Sequence, residues 1–302
     1  MTALQNASPV TWPKLQLKHG LNNNLVTAHA LARSAIFSTR FYRSHAERPL
    51  YRERTKLPST SDIEVFQTAG HQLDQGDADV FYELLRRVFA DGREMCRESH
   101  VVFSRAELLR ALERSAGGKT RKLLDESLDR LYRAEFEFSV HGLLSGKSRL
   151  ILKMHHLDKK TAAGEDYDVL LDVELARLFD GNQWTVLRRS QRRLLDGKPL
   201  AKGLHALFST WSTPYPMLPE TLLPLAGRQG MQHSKGLDVL LRALAAVKLA
   251  TGWAKCELET QGVHAGKVVV EKGDCATARA ARSKTRKAIS DQTDEHHLDD
   301  DI

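Results

Sequence analysis

The chain has 302 residues, 41% of them hydrophobic and 27% charged, with a net charge of +7 and a pI of about 9.3. This describes an ordinary chain of one to three packed domains and favours a polyanionic partner. No apolar run approaches a membrane span, the N-terminus lacks a secretory apolar core, and three scattered cysteines (Cys96, Cys256 and Cys275) argue for a reduced, cytoplasmic setting and against a disulfide framework.

Residues 1–30 are rich in Asn, Thr and Pro without a period and read as a mobile arm. The stretch DADVFYELLRRVFADGRE is amphipathic, with Val80, Phe81, Leu84, Leu85, Val88 and Phe89 on one face, which predicts a helix capped by Asp77 and stopped by Gly92. HVVF reads as a short strand. SRAELLRALER reads as a helix with Ser104 three residues before Glu107, as in a capping box.

SAGGKTRKLL (115–124) ends like a phosphate loop, in Gly118-Lys119-Thr120. Glu113 stands where that loop needs its first Gly, and a helical pattern precedes it in place of a strand. KTRK is instead the first turn of a third helix, with Leu124, Leu128 and Leu131 as its apolar stripe. FEFSV and RLILKMHHL follow as a hairpin around Gly142 and Gly146, and YDVLLDVELARLF as a strand running into a short helix.

The second half repeats the order. WTVLRRSQRRLLDGKPLAKGLHALFSTWS reads as helical in two parts, broken at Gly197 and Pro199, and PYPML as extended. PETLLPLAG is a short helix, and HSKGLDVLLRALAAVKLATGW a long one capped by Ser234. A hairpin turning at Gly262 and Gly266 closes the pattern. Helix, short strand, helix, helix and hairpin occur twice, an order that is a winged helix, whose last helix can enter a major groove. The expected fold is helix-rich α+β: two tandem winged-helix domains, 31–180 and 181–275, between disordered ends. The tail 276–302 turns from basic (RAARSKTRK) to acidic (DQTDEHHLDDD).

In a groove-inserted helix the N-terminal residues reach base edges. That nominates Gln232, His233, Ser234 and Lys235, with Arg242 further along, in the second copy, and Lys119, Thr120, Arg121 and Lys122 in the first. Wing candidates are Lys147 and Arg149, then His264 and Lys267. Arg188, Arg189, Arg192 and Arg193 line the helix joining the domains, either as a DNA-facing row or as a solvated face with acidic partners. Gly236 weakens the start of the second reading helix, and Asp238 repels phosphate unless it meets a cytosine amino group.

ARSAIFSTR (32–40), DADVFYELLRRV (77–88), VLLDVELARLFDGNQWTVL (169–187) and STPYPML (212–218) resemble the TrfA family of plasmid replication initiators, in order and with similar spacing over roughly residues 30–272. The resemblance implies a bacterial protein that binds direct repeats (iterons) in double-stranded origin DNA, melts adjacent AT-rich DNA and recruits the host helicase and initiator ATPase. It also implies control through exchange between inactive dimers and active monomers, with the first domain supplying the dimer contact. Of the clamp-binding motif that some members carry, LQLKHGL keeps only Gln16-Leu17 and no aromatic. A winged-helix transcriptional repressor is the alternative. No nucleophile, base or metal-ligand set stands out, so neither catalysis nor a cofactor is expected.

Overall fold

A computed structural model of the protein describes residues 15–16, 21–89, 94–96, 99–161 and 164–273; the expected basic-then-acidic tail, Leu17 and the helix stop at Gly92 lie outside them. The elements in chain order are β1 (Leu15–Gln16), β2 (Leu25–Ala28), α1 (His29–Ala32), β3 (Phe37–Ser38), β4 (Leu50–Tyr51), β5 (Thr55–Leu57), β6 (Ile63–His71), β7 (Leu73–Asp74), α2 (Gln75–Val88), β8 (Glu94–Met95), β9 (His100–Ser104), α3 (Arg105–Ala111), α4 (Gly118–Arg133), β10 (Glu135–Val140), β11 (Leu144–Arg149), β12 (Ile151–Thr161) and β13 (Gly164–Leu171). A 3₁₀ stretch, Val173–Asn182, leads to β14 (Trp184–Leu187), α5 (Arg189–Arg193), α6 (Pro199–Ser209), α7 (Pro219–Leu225), α8 (His233–Thr251), β15 (Lys255–Leu258) and β16 (Val268–Glu271). The protein is thus a mixed α/β structure with several small sheets.

Two hydrophobic cores divide these elements. The first runs from Leu21 to Leu187, takes in Ala206 of α6 as well, and gathers around α2, whose Val80, Phe81, Leu84 and Leu85 are fully buried. The second runs from Leu195 to Val270, around α6 and α8. Burying such side chains stabilises each core by roughly 1.5–3 kcal/mol apiece relative to exposure.

Several local expectations change. Residues 21–28, expected in a mobile arm, are ordered: β2 is buried and pairs antiparallel with β14. Trp184–Leu187, expected to begin a helix, is that partner strand, and Leu187 belongs to the first core. The cap of α2 is Asp74, not Asp77: Asp74 accepts from the Gly76 and Asp77 N–H groups, and the Asp77 carboxylate reaches back to the Asp74 N–H, a reciprocal capping box. Gln232 holds the N-cap position of α8 without a side-chain bond to it, so Ser234, the expected cap, lies within the first turn. Ser104 caps α3 as expected, accepting from the Glu107 N–H.

The sheets also differ from the expected hairpins. β10 pairs with β11, but β10 then pairs with β6, forming a sheet in the order β11-β10-β6-β4 with β5 also on β6. β12, read as the second strand of that hairpin, instead pairs with β13, which pairs with β9, the strand between α2 and α3. The second core has the same relationship in reduced form. β15 pairs with β16, and Met217, between α6 and α7, bridges Val268 of β16.

Candidate nucleic-acid interface

The strongest local signal is at two helix starts. A helix N-terminus leaves four N–H groups without intrahelical partners and a partial positive charge, so acids and side-chain caps belong there and cations oppose it. α2 and α3 follow the rule, with Asp74 and Ser104 as caps and Asp77 and Glu107 in their first turns. α4 and α8 break it. α4 begins after Gly117 with no side-chain cap and no acid in its first turn, and Lys119, Arg121 and Lys122 are exposed there. The Thr120 hydroxyl is half-buried, 3.2 Å from that of Ser115. α8 begins after Gln232 with no side-chain cap and no acid, and Gln232, His233, Ser234 and Lys235 are all exposed. Among the described residues neither Lys119, Lys122 nor Lys235 has a carboxylate partner. His233 has Glu220, 3.4 Å from its Nδ1. Unpaired N–H groups beside exposed cations are the arrangement that suits an anion.

Gly236 follows directly and is buried, because α7 comes so close that a Cβ there would lie 2.9 Å from Leu223 Cδ1. The glycine that weakens the helix on paper is what lets the two helices meet. Arg242 and Asp238, two of the residues singled out on α8, are both exposed and paired with each other one turn apart, so Asp238 holds Arg242 at the surface. The hairpin after α8 turns through Gly262 and Gly266, both at positive φ. His264 is exposed at its tip, and Lys267 is half-buried where β16 begins.

Other nominated residues are placed differently. Lys147 and Arg149 sit on β11 and share one carboxylate, Glu135, at 3.7 and 3.3 Å. Their hairpin lies in the β6 sheet, whereas the hairpin that shares a sheet with β9 is β12–β13. The four arginines from 188 to 193 do not act as one row. Arg188 is exposed at the start of α5, and Arg193 is exposed beside Glu113. Arg189 turns inward to Glu83, to the Ala111 carbonyl at 2.5 Å and to the Asn23 carbonyl at 2.9 Å. Arg192 is 2% exposed. It donates to Asp79 at 2.6 Å, to Gln75 at 3.0 Å and to the Lys202 carbonyl. Arg189 and Arg192 are therefore turned away from the candidate surface: each guanidinium commits three of its five N–H donors to acceptors inside the protein, a carboxylate among them.

Their acidic partners, Asp79 and Glu83, lie four apart on α2 and are buried there together with Gln75, Asp77 and the apolar residues of the helix. Burial alone raises a carboxyl pKa. At Asp79 the charges of Arg192, Lys202 and Arg114 overcome it and hold the group at about 2. Two acids in a buried stripe were the sequence signal that the arginines had partners inside the protein. Among the described residues no group of three His, Cys, Asp or Glu could hold a metal ion, and no helix is long and apolar enough to cross a membrane.

The sequence profile of the family described as TrfA protein matches residues 19–244. Among solved structures, a crystal structure of RctB domains 2-3 is similar at 14% identity and a TM-score of 0.50, covering 84% of this chain and 100% of that one. A selenomethionine structure of RctB domains 2 and 3 gives 12% identity and a TM-score of 0.49, covering 72% and 84%. At such identities the likeness concerns the fold alone. No curated protein matches the sequence.

Proposed function

The chain belongs to the TrfA family of replication initiators, and on that premise we propose that it binds direct repeats at a plasmid origin through two tandem winged-helix units. In this reading residues 31–180 form the first unit and 181–275 the second. α8 reads base edges through Gln232, His233, Ser234 and Lys235, with Arg242 adding a contact once it leaves Asp238. α4 grips the backbone through Lys119, Thr120, Arg121 and Lys122. Lys267, Arg188 and Arg193 add phosphate contacts at the margins. Bound protein then opens neighbouring AT-rich DNA and recruits the host helicase and initiator ATPase, without a catalytic step of its own, in the bacterial cytoplasm. Exchange between dimers and monomers sets copy number.

One observation supports this reading above the rest. In both halves the helix that precedes a hairpin starts with uncapped N–H groups, exposed cations and no acid. Each such cation opposes the helix dipole by about 0.3–1 kcal/mol. A polyanion reverses the sign of that contribution, and repetition in both halves matches a polymer with phosphates at regular intervals.

The test is to footprint purified protein on fragments of the replicon that encodes it. Protection of several direct repeats beside an AT-rich stretch is expected. If about six phosphates are neutralised, affinity falls roughly a thousandfold between about 50 and 200 mM salt. Protection of one inverted repeat at a promoter would move the assignment to a repressor, and a flat salt response would sink the DNA reading altogether.

A further inference from the structure

Resting on that DNA reading, we propose that Arg40-Phe41-Tyr42-Arg43 is a separate nucleic-acid contact, in which Phe41 stacks on a base and Arg40 and Arg43 hold the flanking phosphates. Phe41 is 77% exposed. A single exposed apolar residue needs no explanation, but its surroundings are unusual. Arg40 and Arg43 on either side are exposed, and among the described residues neither side chain has a carboxylate partner; Glu47 accepts only the Arg43 backbone N–H, at 2.9 Å. Arg228, partly buried, is held below the usual guanidinium range by burial and then by the charge of Arg40. The two cations therefore repel one another until an anion arrives.

The segment is held firmly at both ends while Phe41 stays out. On the C-terminal side, Tyr42 carries the Arg48 guanidinium 4.9 Å from its ring centre, and Arg48 is anchored by Asp74 and Asp77. On the N-terminal side, the Thr39 N–H and hydroxyl both donate to the Ala226 carbonyl, at 3.0 and 2.7 Å. Arg228 donates to the Thr39 carbonyl at 2.7 Å, and Ser38 donates to the Gly227 carbonyl at 3.2 Å. The chain before Phe41 is thereby bonded to the turn between α7 and α8, so Phe41 is displayed beside the base-reading helix of the second unit although it belongs to the first half of the sequence.

A cleft opens beside it. Arg40, Phe41, Arg193, Lys198 and the turn Leu112 to Arg114 that leads to α4 line it. So do four acids, each facing a cation: Asp74 with Arg48, Asp79 with Arg192, Glu113 with Arg193 and Asp196 with Lys202. Phe41 therefore stands between the turns that precede the two candidate reading helices. An aromatic face flanked by cations, with no acid at the tip, suits a strand with a charged backbone and flat bases. Inserted into a duplex step, the same side chain would act as an apolar wedge that unstacks it. Both cases share base stacking, and they differ in whether the strand comes from duplex or from already opened DNA.

The test uses the full-length protein, an origin duplex carrying a fluorescent base analogue, and single strands of the adjacent AT-rich segment. Phe41→Ala should weaken binding about tenfold, and Phe41→Trp should restore it, as base stacking predicts. Arg40→Ala with Arg43→Ala should flatten the salt slope by about two phosphates without changing sequence preference. A loss confined to the duplex, with loss of the unstacking signal, identifies a wedge, and a loss confined to the single strand identifies capture of opened DNA. If the wild-type protein binds the origin and these variants bind both probes with its affinity and salt slope, the inference fails alone. If the wild-type protein does not bind origin DNA, the functional reading fails with it.

Discussion

Arg192, at the start of the second half of the chain, donates its Nε–H to Asp79 on α2 across 2.6 Å, and the Lys202 ammonium meets the other oxygen of the same carboxylate at 2.6 Å. All three side chains are largely buried. The contact joins α5 and α6 to the helix at the centre of the first core, so this carboxylate is one of the ties between the two halves, beside the Arg189–Glu83 and Thr39–Ala226 bonds. Asp79→Ala would leave Arg192, Lys202 and Arg114 around an empty position. A loss of about 3–5 kcal/mol is expected in equilibrium urea unfolding, the usual cost of stranding a buried charge. Because the folded-state pKa of about 2 lies below the unfolded value, this stabilisation is present above roughly pH 4 and disappears as pH falls through about 2. By contrast Arg188→Ala, at an exposed position, should leave stability within about 0.5 kcal/mol of wild type and alter only DNA affinity.

His205 should make the protein acid-sensitive at a milder pH. Its imidazole is buried in the second core, with Nε2 3.3 Å from Gln191 Oε1 and Nδ1 without a partner. Burial, followed by the charges of Arg192 and Lys272, pushes its pKa down to about 3. The folded state thus carries fewer protons than the unfolded state between that value and about 6.5. Stability should fall by up to about 1.4 kcal/mol per unit as pH drops across that window. Urea midpoints at pH 7, 6 and 5 would measure the slope, with His205→Gln expected to flatten it. An unchanged slope in that variant would assign the acid sensitivity to other groups.

Two glycines beside the candidate reading helix should respond differently to alanine. At Gly227 φ is +71°, and a Cβ would stand 2.7 Å from Ser38 Oγ and 2.8 Å from Ser38 Cα. Backbone cannot yield as a side chain can, so Gly227→Ala should cost about 1–3 kcal/mol. At Gly236 the obstacle is the flexible end of Leu223, 2.9 Å away, and the helix gains about 1 kcal/mol from alanine. Gly236→Ala should therefore be close to neutral. Thermal unfolding of the pair checks both.

Lys235 and Lys122 should separate reading from gripping. Lys235→Ala, at the first turn of α8, should relax sequence preference at one position of the repeat, whereas Lys122→Ala should weaken binding to all DNA alike. Selection of bound sequences from a randomised repeat distinguishes them. Equal weakening without a change of preference would move base reading away from Lys235.

What was legible in the sequence is what each element decides for itself. The apolar period of 80–89 marked α2, the leucine stripes at 124–131 and 237–247 marked α4 and α8, and the paired glycines at 262 and 266 marked the last turn. Helical periodicity and turn preference act over a few residues, so one chain carries them. Family strings did the same for identity, because a profile needs only residue order. Trp184–Leu187 reads as the start of a helix on sequence alone, because its own residues do not settle the matter. It is a strand because Leu25–Ala28 lies alongside it, more than 150 residues away in sequence. The same distance hid the fate of the arginines. Arg188 and Arg192 look alike in sequence, and one stays in water while the other enters a charge cluster only because α2 presents Asp79 beneath it. Asp77 closes the capping box on Asp74 and is also held by Ser127 and Arg130 of α4. Which hairpin joins β9, which cation remains free for an anion, and which glycine is forced by a neighbour are all decided by non-local partners. Tertiary packing settles these because burial makes an unpaired charge or an unpaired strand edge too costly to leave.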